Sequence, residues 1–253
     1  MNHIELKEQQ AIQLKILSDF DIFCKANGLK YFMMYGTLLG AVRHKGFIPW
    51  DYDIDTAMTR AEYNKFKTIK HLLPSHLSVE DICYSDIDHA GLARLIHPDK
   101  KYGNVHIDIF ILDYRRDGWR NGKLGNRLCS LLHFAKLSKN EKRILIDHFS
   151  GQKLKQAVIQ FSKVIKILVG GSASAERLIY KLRVSKRPTN YYITLEDNVK
   201  MPVEYFCEPV LLPFDGNLFY APANVEALLT SSYGNYMEIP PEGHQWLKEE
   251  GLE

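Results

Sequence analysis

The sequence predicts an α+β protein, a mixed β-sheet core flanked by helices and interrupted by a basic helical insert. Three observations lead there. An apolar helical repeat opens the chain, β-prone runs recur at 29–35, 52–58 and 105–112, and basic residues crowd the stretch between Arg115 and Arg187. The 253 residues are 45% apolar and 25% charged, which suits one large globular domain or two small ones and excludes disorder and fibrous repeats.

Ile4, Leu6, Ile12, Ile16, Leu17, Phe20 and Phe23 recur at mostly helical spacing, so 4–27 is expected to be a helix that Asn27-Gly28 ends. The run 29–35 is a strand leading into Gly36-Thr37. Residues 38–43 have helical composition and Gly46 and Pro49 stop them; 52–58, where acids alternate with bulkier residues, reads as the next strand. Thr59 and Glu62 stand at capping-box spacing at the head of a helix reaching His71. The run 105–112 is the strongest strand signal, apolar enough for burial on both faces. In the basic segment Leu154, Val158, Phe161, Ile165 and Leu168 form a stripe on a helix at 153–169, for which a core-facing role is favoured over a membrane-surface one. After Tyr191 come short strands and turns, then a helix near 224–230. These signals divide the chain into a catalytic core at 1–114, the basic insert at 115–187, and a C-terminal segment at 188–253 that completes the core and its site.

A formal net charge of +3 hides a strong asymmetry. Between Arg115 and Arg187 stand eighteen basic and four acidic residues, a local balance of +14 against −11 for the remainder. Such a segment implies an anionic partner, the plainer alternative being a solvated helical surface. No nucleic-acid reader motif is present, so nucleic acid is not an expected partner. Cys24, Cys83, Cys129 and Cys207 form no C-x-x-C pair, which argues against a zinc ribbon or a disulfide scaffold and for a reducing compartment. The N-terminus lacks the basic start and apolar run of a signal peptide, and no run approaches the ~18 apolar residues of a membrane span, so a cytoplasmic location is expected.

Chemistry concentrates between Gly36 and Asp55. In an extended strand Asp51, Asp53 and Asp55 would align on one face at steps of about 7 Å. Crowded carboxylates raise one another's pKa unless a cation neutralises them, and hard oxygen ligands suit Mg²⁺ or Mn²⁺. An isolated D-x-D is more often a solvated turn or a helix cap. Here the context adds to it: Gly36-Thr37 at a strand-to-helix turn offers amides and a hydroxyl to a phosphate. Arg43, His44 and Lys45 add cationic donors. Asp108, inside an apolar strand, needs a partner to be buried at all. Arg94, His97 and His106 lie near it in sequence, though a lone His or Arg is more often structural. For Trp50 and Trp246, core packing is favoured over stacking on a base.

A Gly-Thr turn, a downstream D-x-D and a later strand carboxylate match the signature of the nucleotidyltransferase superfamily. More closely, the stretch from Leu29 to Phe66 resembles the LicD family of bacterial phosphocholine transferases, to which fukutin-related protein is akin. The resemblance is carried by Gly36 to Arg43, by Ile48-Pro49-Trp50-Asp51-Tyr52-Asp53-Ile54-Asp55, by His106-Ile107-Asp108-Ile109-Phe110, and by Tyr233-Gly234-Asn235-Tyr236-Met237 with Pro240-Pro241. It implies a transferase that moves a phospho-alcohol from a CDP-alcohol donor to a hydroxyl of a glycan or lipid-linked glycan, releasing CMP. The alternative within the fold is a nucleotidyltransferase that makes a nucleotide-activated compound and releases pyrophosphate.

By the family pattern Asp53, Asp55 and Asp108 hold Mg²⁺ or Mn²⁺, with Asp51 in support. Asp108 serves as ligand or as base, Gly36, Thr37 and His44 attend the donor, and Arg43 neutralises developing charge. Ile111 replaces a frequent Pro, Tyr52 replaces a frequent acid and is expected to face away from the metal, and Glu242-Gly243-His244-Gln245 stands where a basic residue usually follows the prolines. The basic insert, on this reading, meets an anionic membrane surface from the inner face or grips a polyanionic acceptor.

Overall fold

The computed structural model describes residues 3–82, 91–97, 105–118, 122–138, 142–143, 145–146, 152–195 and 199–249. Cys83, Arg120, Lys139, Glu141, Asp147 and the side chains of Ile4, Leu154, Lys155 and Trp246 lie outside the described residues. The chain divides into two compact units, Met1–Glu80 with Leu92–Leu112 and Met201–Glu253, and Asp81–Gly91 with Asp113–Lys200.

In the first unit, α1 (His3–Ala26) leads through the left-handed Gly28 (φ 63°), where a Cβ would be strained, to the short strand β1 (Phe32–Met33). Then follow α2 (Tyr35–Arg43), β2 (Asp55–Thr59), α3 (Arg60–Ile69), β3 (Ser78–Ile82), β4 (Leu92–Ile96) and β5 (His106–Tyr114), the last two residues of β3 and of β5 being counted in the second unit. The strands lie in the order β1-β2-β5-β4-β3. β2 and β5 are parallel, while β1 with β2 and β4 with β5 are antiparallel, so the sheet is mixed and the class is α+β as expected.

An aromatic cluster joins α1 to α3. Phe20 meets Tyr31 at 5.1 Å and the edge of Phe66 at 5.8 Å, and the buried Tyr31 hydroxyl donates to Asp21 Oδ1 at 2.8 Å. Thr59 caps α3 by accepting from the Glu62 N–H at 3.2 Å. Only this half of the expected capping box is built, because the Glu62 carboxylate accepts instead from the Lys30 N–H and from Lys65. The helix expected to reach His71 ends at Ile69 and tightens into a 3-10 turn over Lys70–Leu72.

β5 corrects one expectation. Its burial alternates rather than extending to both faces: Ile107, Ile109 and Ile111 are fully buried, whereas His106, Asp108 and Phe110 on the opposite face are only partly covered. The partly open face is the one that carries the polar groups.

Beyond residue 200 the chain adds β7 (Met201–Pro202), β8 (Val210–Phe214), β9 (Asn217–Ala221), α7 (Val225–Tyr233) and α8 (Pro241–Glu249), all in the first unit. β8 and β9 form a hairpin whose two-residue turn, Asp215 (φ 44°) and Gly216 (φ 78°), has the left-handed backbone that hairpin twist requires. β9 packs on β1 and β8 on α2.

The second unit holds α4 (Lys123–Lys136), α5 (Lys153–Leu168), α6 (Ser172–Arg183) and β6 (Tyr191–Ile193), which pairs antiparallel with Asp113 and Tyr114. Leu132, Ala135, Ala175, Ile179, Val184 and Leu195 form its core. The stripe expected to face the core on α5 does not do so throughout. Ile159 and Ser162 are fully buried, whereas Phe161 is 54% and Leu168 75% exposed. The reason lies in how α5 seats on α4. Ser162 Oγ donates to Phe134 O, and Lys166 Nζ to Leu137 O at 3.2 Å, which turns the Phe161–Leu168 line outward. Among the described residues no single helix is long and apolar enough to cross a membrane, although α5 and α6, bent by 95°, pass together on length and composition.

Candidate active site

Asp55 opens β2, Asp108 is the third residue of β5, and the parallel register sets them opposite one another. Neighbouring strands lie about 4.8 Å apart and partners in register share a face, so both carboxylates leave the same side of the sheet. The backbone pins this register. The Asp108 N–H donates to Ile54 O at 2.8 Å and the Met34 N–H to Asp55 O at 3.0 Å.

Helix α2 stands at the head of the pair. It begins at Tyr35, so Gly36 and Thr37 lie in its first turn and not in a turn before it, as expected from sequence. Both are engaged with Asp55: its carboxylate accepts from the Gly36 N–H, and its own N–H donates to Thr37 Oγ1 at 2.8 Å. Tyr35 starts the helix in a strained left-handed conformation (φ 44°) with its ring against Phe110 at 4.9 Å. Gly36 leaves room for the Asp51 carboxylate. A Cβ there would lie 2.6 Å from Asp51 Oδ2.

Asp51 and Asp53 do not continue β2. The chain from 51 to 54 has no regular ladder, so the expected strand from 52 starts three residues late and the three aspartates do not form an evenly spaced row. They are gathered differently. Asp51 shares a side-chain hydrogen bond with Asp53, and Asp55 feels the charges of Asp53, Asp108 and Asp51. Burial and then Asp53 push the Asp51 carboxyl up to about 7, and burial followed by the three neighbouring carboxylates pushes Asp55 up to about 8. Tyr52 faces away, 61% exposed.

Three glutamines of α1, not singled out from sequence, hold this irregular segment. Gln10 Nε2 donates to Asp51 O at 2.7 Å, Gln9 Nε2 to Tyr52 O at 2.6 Å, and Gln13 Nε2 to both Tyr52 O (2.9 Å) and His106 O (3.1 Å). Gln10 and Gln13 are buried on the core face of the helix, between Leu6 and Leu17 at helical spacing. That placement was the available signal: a polar side chain on an apolar stripe must be spent on a hydrogen bond.

Of the other candidates, Arg94 and His106 flank Asp108, with Arg94 Nε 3.1 Å and His106 Nε2 3.6 Å from its Oδ1. His97 instead lies against His76, with ring centroids 5.9 Å apart. Arg43 and His44, at the far end of α2, are seven and eight residues from Gly36, about 10 Å and more along the axis. Arg43 Nε donates to His44 Nε2 at 2.9 Å, and its Nη1 donates to the carbonyls of Tyr236 and Glu238 at 3.1 Å each. Burial lowers both pKa values, and for His44 the Arg43 charge adds to it, so His44 is the neutral acceptor of the pair. Arg43 therefore fixes the tail, and neither residue is brought to the carboxylates. Trp50 packs against the His44 ring and against Gly243, where a Cβ would strike the indole.

Among the described residues no three His, Cys, Asp or Glu side chains are closed around a point where a metal would sit. Asp51 is bonded to Asp53, and Asp108 leans on Arg94. The donor set nevertheless fits a hard divalent cation: carboxylate oxygens only, mutually repelling, and balanced by one backbone amide and one guanidinium.

Carboxylates gathered on one face of a mixed sheet beside a helix N-terminus make this site similar to that of a nucleotidyltransferase-type domain. Residues 28–127 of the chain match the family described as LicD/FKTN/FKRP, nucleotidyltransferase domain. Over 97% of its length it aligns with 96% of the lipopolysaccharide cholinephosphotransferase LicD of Haemophilus influenzae at 28% identity. A stretch of 31 residues, 12% of this chain and 6% of the relative, is 55% identical to the human ribitol 5-phosphate transferase FKRP. Over 65 residues, 25% of this chain and 21% of the relative, the chain is 37% identical to an uncharacterized protein of Rickettsia typhi.

Proposed function

We propose that the chain is a LicD-type phosphotransferase that transfers a phospho-alcohol from a CDP-activated donor to a hydroxyl of a cell-surface glycan. The observation that carries this reading is the pairing of Asp55 with Asp108 across two parallel strands under the N-terminus of α2. The near full-length likeness to a lipopolysaccharide cholinephosphotransferase supports the substrate class.

Asp53, Asp55 and Asp108 are the residues that would hold Mg²⁺ or Mn²⁺, and the ion would supply charge stabilisation to the donor diphosphate. The chain's own part is positioning and electrostatics, which is most of what phosphoryl transfer asks. Gly36 and Thr37 keep Asp55 in place. The Asp108 carboxylate, oriented by Arg94, takes the proton of the acceptor hydroxyl as its oxygen forms the new P–O bond. The P–O bond to CMP breaks, and CMP leaves with the electron pair. Arg43, through the 236–238 backbone, shapes the wall on which the donor rests. Contact of the basic segment with an anionic membrane surface belongs to the same reading, since it would bring a membrane-anchored glycan to the site.

Incubating the protein with Mg²⁺, a glycan acceptor and a panel of CDP-alcohols tests the proposal. CMP released in step with modified glycan supports it. Pyrophosphate released from a nucleoside triphosphate, with no CMP from any CDP-alcohol, would assign the chain to the nucleotide-activating alternative.

A further inference from the structure

The second unit contains a cavity of about 720 Å³ that the proposed chemistry does not use. Its charged lining is all cationic, Lys142, Arg143, Lys163 and Lys166, with Gln160 the other polar side chain, and Leu137, Ile146 and Ile167 supply apolar wall. Among the described residues no carboxylate lines it.

Lys142 sets this cavity apart from an ordinary lysine-rich surface. It is 3% exposed, and among the described residues no acid pairs with it. Burial, then Lys166 and Lys163, lower its pKa, so the groups facing it add to the strain of its charge. Lys142 lines the cavity beside Lys163 and Lys166, and three like charges around one cavity repel one another unless an anion joins them. Lys166 is fixed in place by its bond to Leu137 O. On the same helix, α5, Phe161, Val164, Ile167 and Leu168 are exposed, the last two by 79% and 75%. A largely apolar cavity carrying four cations, adjoining uncovered apolar side chains, suits a ligand with a phosphate at one end and hydrocarbon at the other.

We propose that this cavity receives the phosphate headgroup of an anionic membrane lipid, with the exposed apolar residues of α5 entering the acyl region beside it. The inference rests on the membrane contact included in the proposed function and gives it a specific site. Charge complementarity decides the occupant. A free phosphate would satisfy the lysines and leave the α5 residues in water, whereas a lipid satisfies both.

The test is co-sedimentation of the full chain with phosphatidylcholine vesicles lacking or containing phosphatidylglycerol. Binding to the anionic vesicles, falling with salt, is expected. Each lysine lost at an anionic surface weakens binding about five-fold, so Lys163→Gln/Lys166→Gln is expected to bind ~25-fold more weakly. Both side chains lie outside the core, and Lys142→Met, which keeps the buried stem, provides a second variant. Lys181→Gln/Lys186→Gln removes the same charge from exposed positions. Lys181 is ten residues, about 15 Å, along α6 from Gly171 at the cavity. This control is expected to bind within about two-fold of wild type. Ile167→Ser/Leu168→Ser is expected to weaken vesicle binding, and soluble inorganic phosphate is expected not to compete it away.

Equal weakening by the two lysine pairs would overturn the pocket while leaving a diffuse membrane contact in place. Full competition by inorganic phosphate, with the α5 serine variant binding as wild type, would mean a free-phosphate site and would also overturn it. No binding to anionic vesicles at all would overturn both the pocket and the membrane contact, without touching the proposed transfer reaction.

Discussion

Asp55 and Asp108 face each other in register on adjacent parallel strands, each pinned by its own backbone bonds. With Asp55 and Asp108 holding the cation that neutralises the donor diphosphate, and Asp108 taking the acceptor proton, Asp55→Asn and Asp108→Asn are each expected to reduce kcat by ~10²–10³ or more while far-UV circular dichroism stays that of wild type. Steady-state CMP release by the two variants checks this.

Crowding at this site has a cost that the ion-free protein bears. Asp55 is pushed up to about 8 and Asp51 to about 7, from an ordinary 3.8. A carboxyl whose folded value exceeds its unfolded value favours the fold at low pH, and that advantage is lost as pH rises from about 4 to about 8. Without divalent ions, Asp55→Asn is therefore expected to melt ~2–6 °C above wild type near pH 8, with the gap closing below about pH 4. Mg²⁺ should raise the Tm of wild type and leave that of the variant unchanged. Thermal melts across pH, with and without the ion, give the result.

Gln13 bridges the aspartate segment to β5 through two carbonyls. Gln13→Leu keeps the volume and strands both acceptors, for an expected loss of ~1–3 kcal/mol in stability. Because the segment it holds carries Asp51 and Asp53, kcat should fall about ten-fold with little change in KM. Denaturant unfolding and the kcat-against-KM split separate the two effects.

Gly36→Ala asks the smallest change of all. The added methyl would meet Asp51 Oδ2 at 2.6 Å, and the carboxylate is the side that must move. Activity is expected to drop ~10-fold or more with stability changed by less than about 1 kcal/mol. Parallel kinetics and melts of this variant decide it.

The Asp55–Asp108 pairing was legible in the chain because an acid inside an apolar strand is rare enough to demand a partner, and a nearby acid-rich strand was the natural one. The α1 stripe through Ile16, Leu17 and Phe20, and the Thr59 cap, were legible for the same reason, since each follows from local spacing. What the spacing hid was long-range. Period-two alternation from 51 to 55 looks like a strand, but Asp51 and Tyr52 give their carbonyls to glutamine amides of α1 and no regular ladder forms before Asp55, a tertiary arrangement that pattern cannot register. Arg43 looked like a phosphate donor because it follows a Gly-Thr turn. Helical rise carries it about 10 Å from that turn, into contact with a tail some two hundred residues on. The Asp215-Gly216 turn was a readable hairpin signal; it sits between runs too short to show alternation clearly.

The most direct test titrates Mn²⁺ into the protein with a CDP-alcohol present and follows the free-ion signal by electron paramagnetic resonance. Tight binding of a single ion, lost in both Asp55→Asn and Asp108→Asn, is the predicted result. Unaltered Mn²⁺ affinity in those two variants would contradict it, since the ion would then sit on other groups.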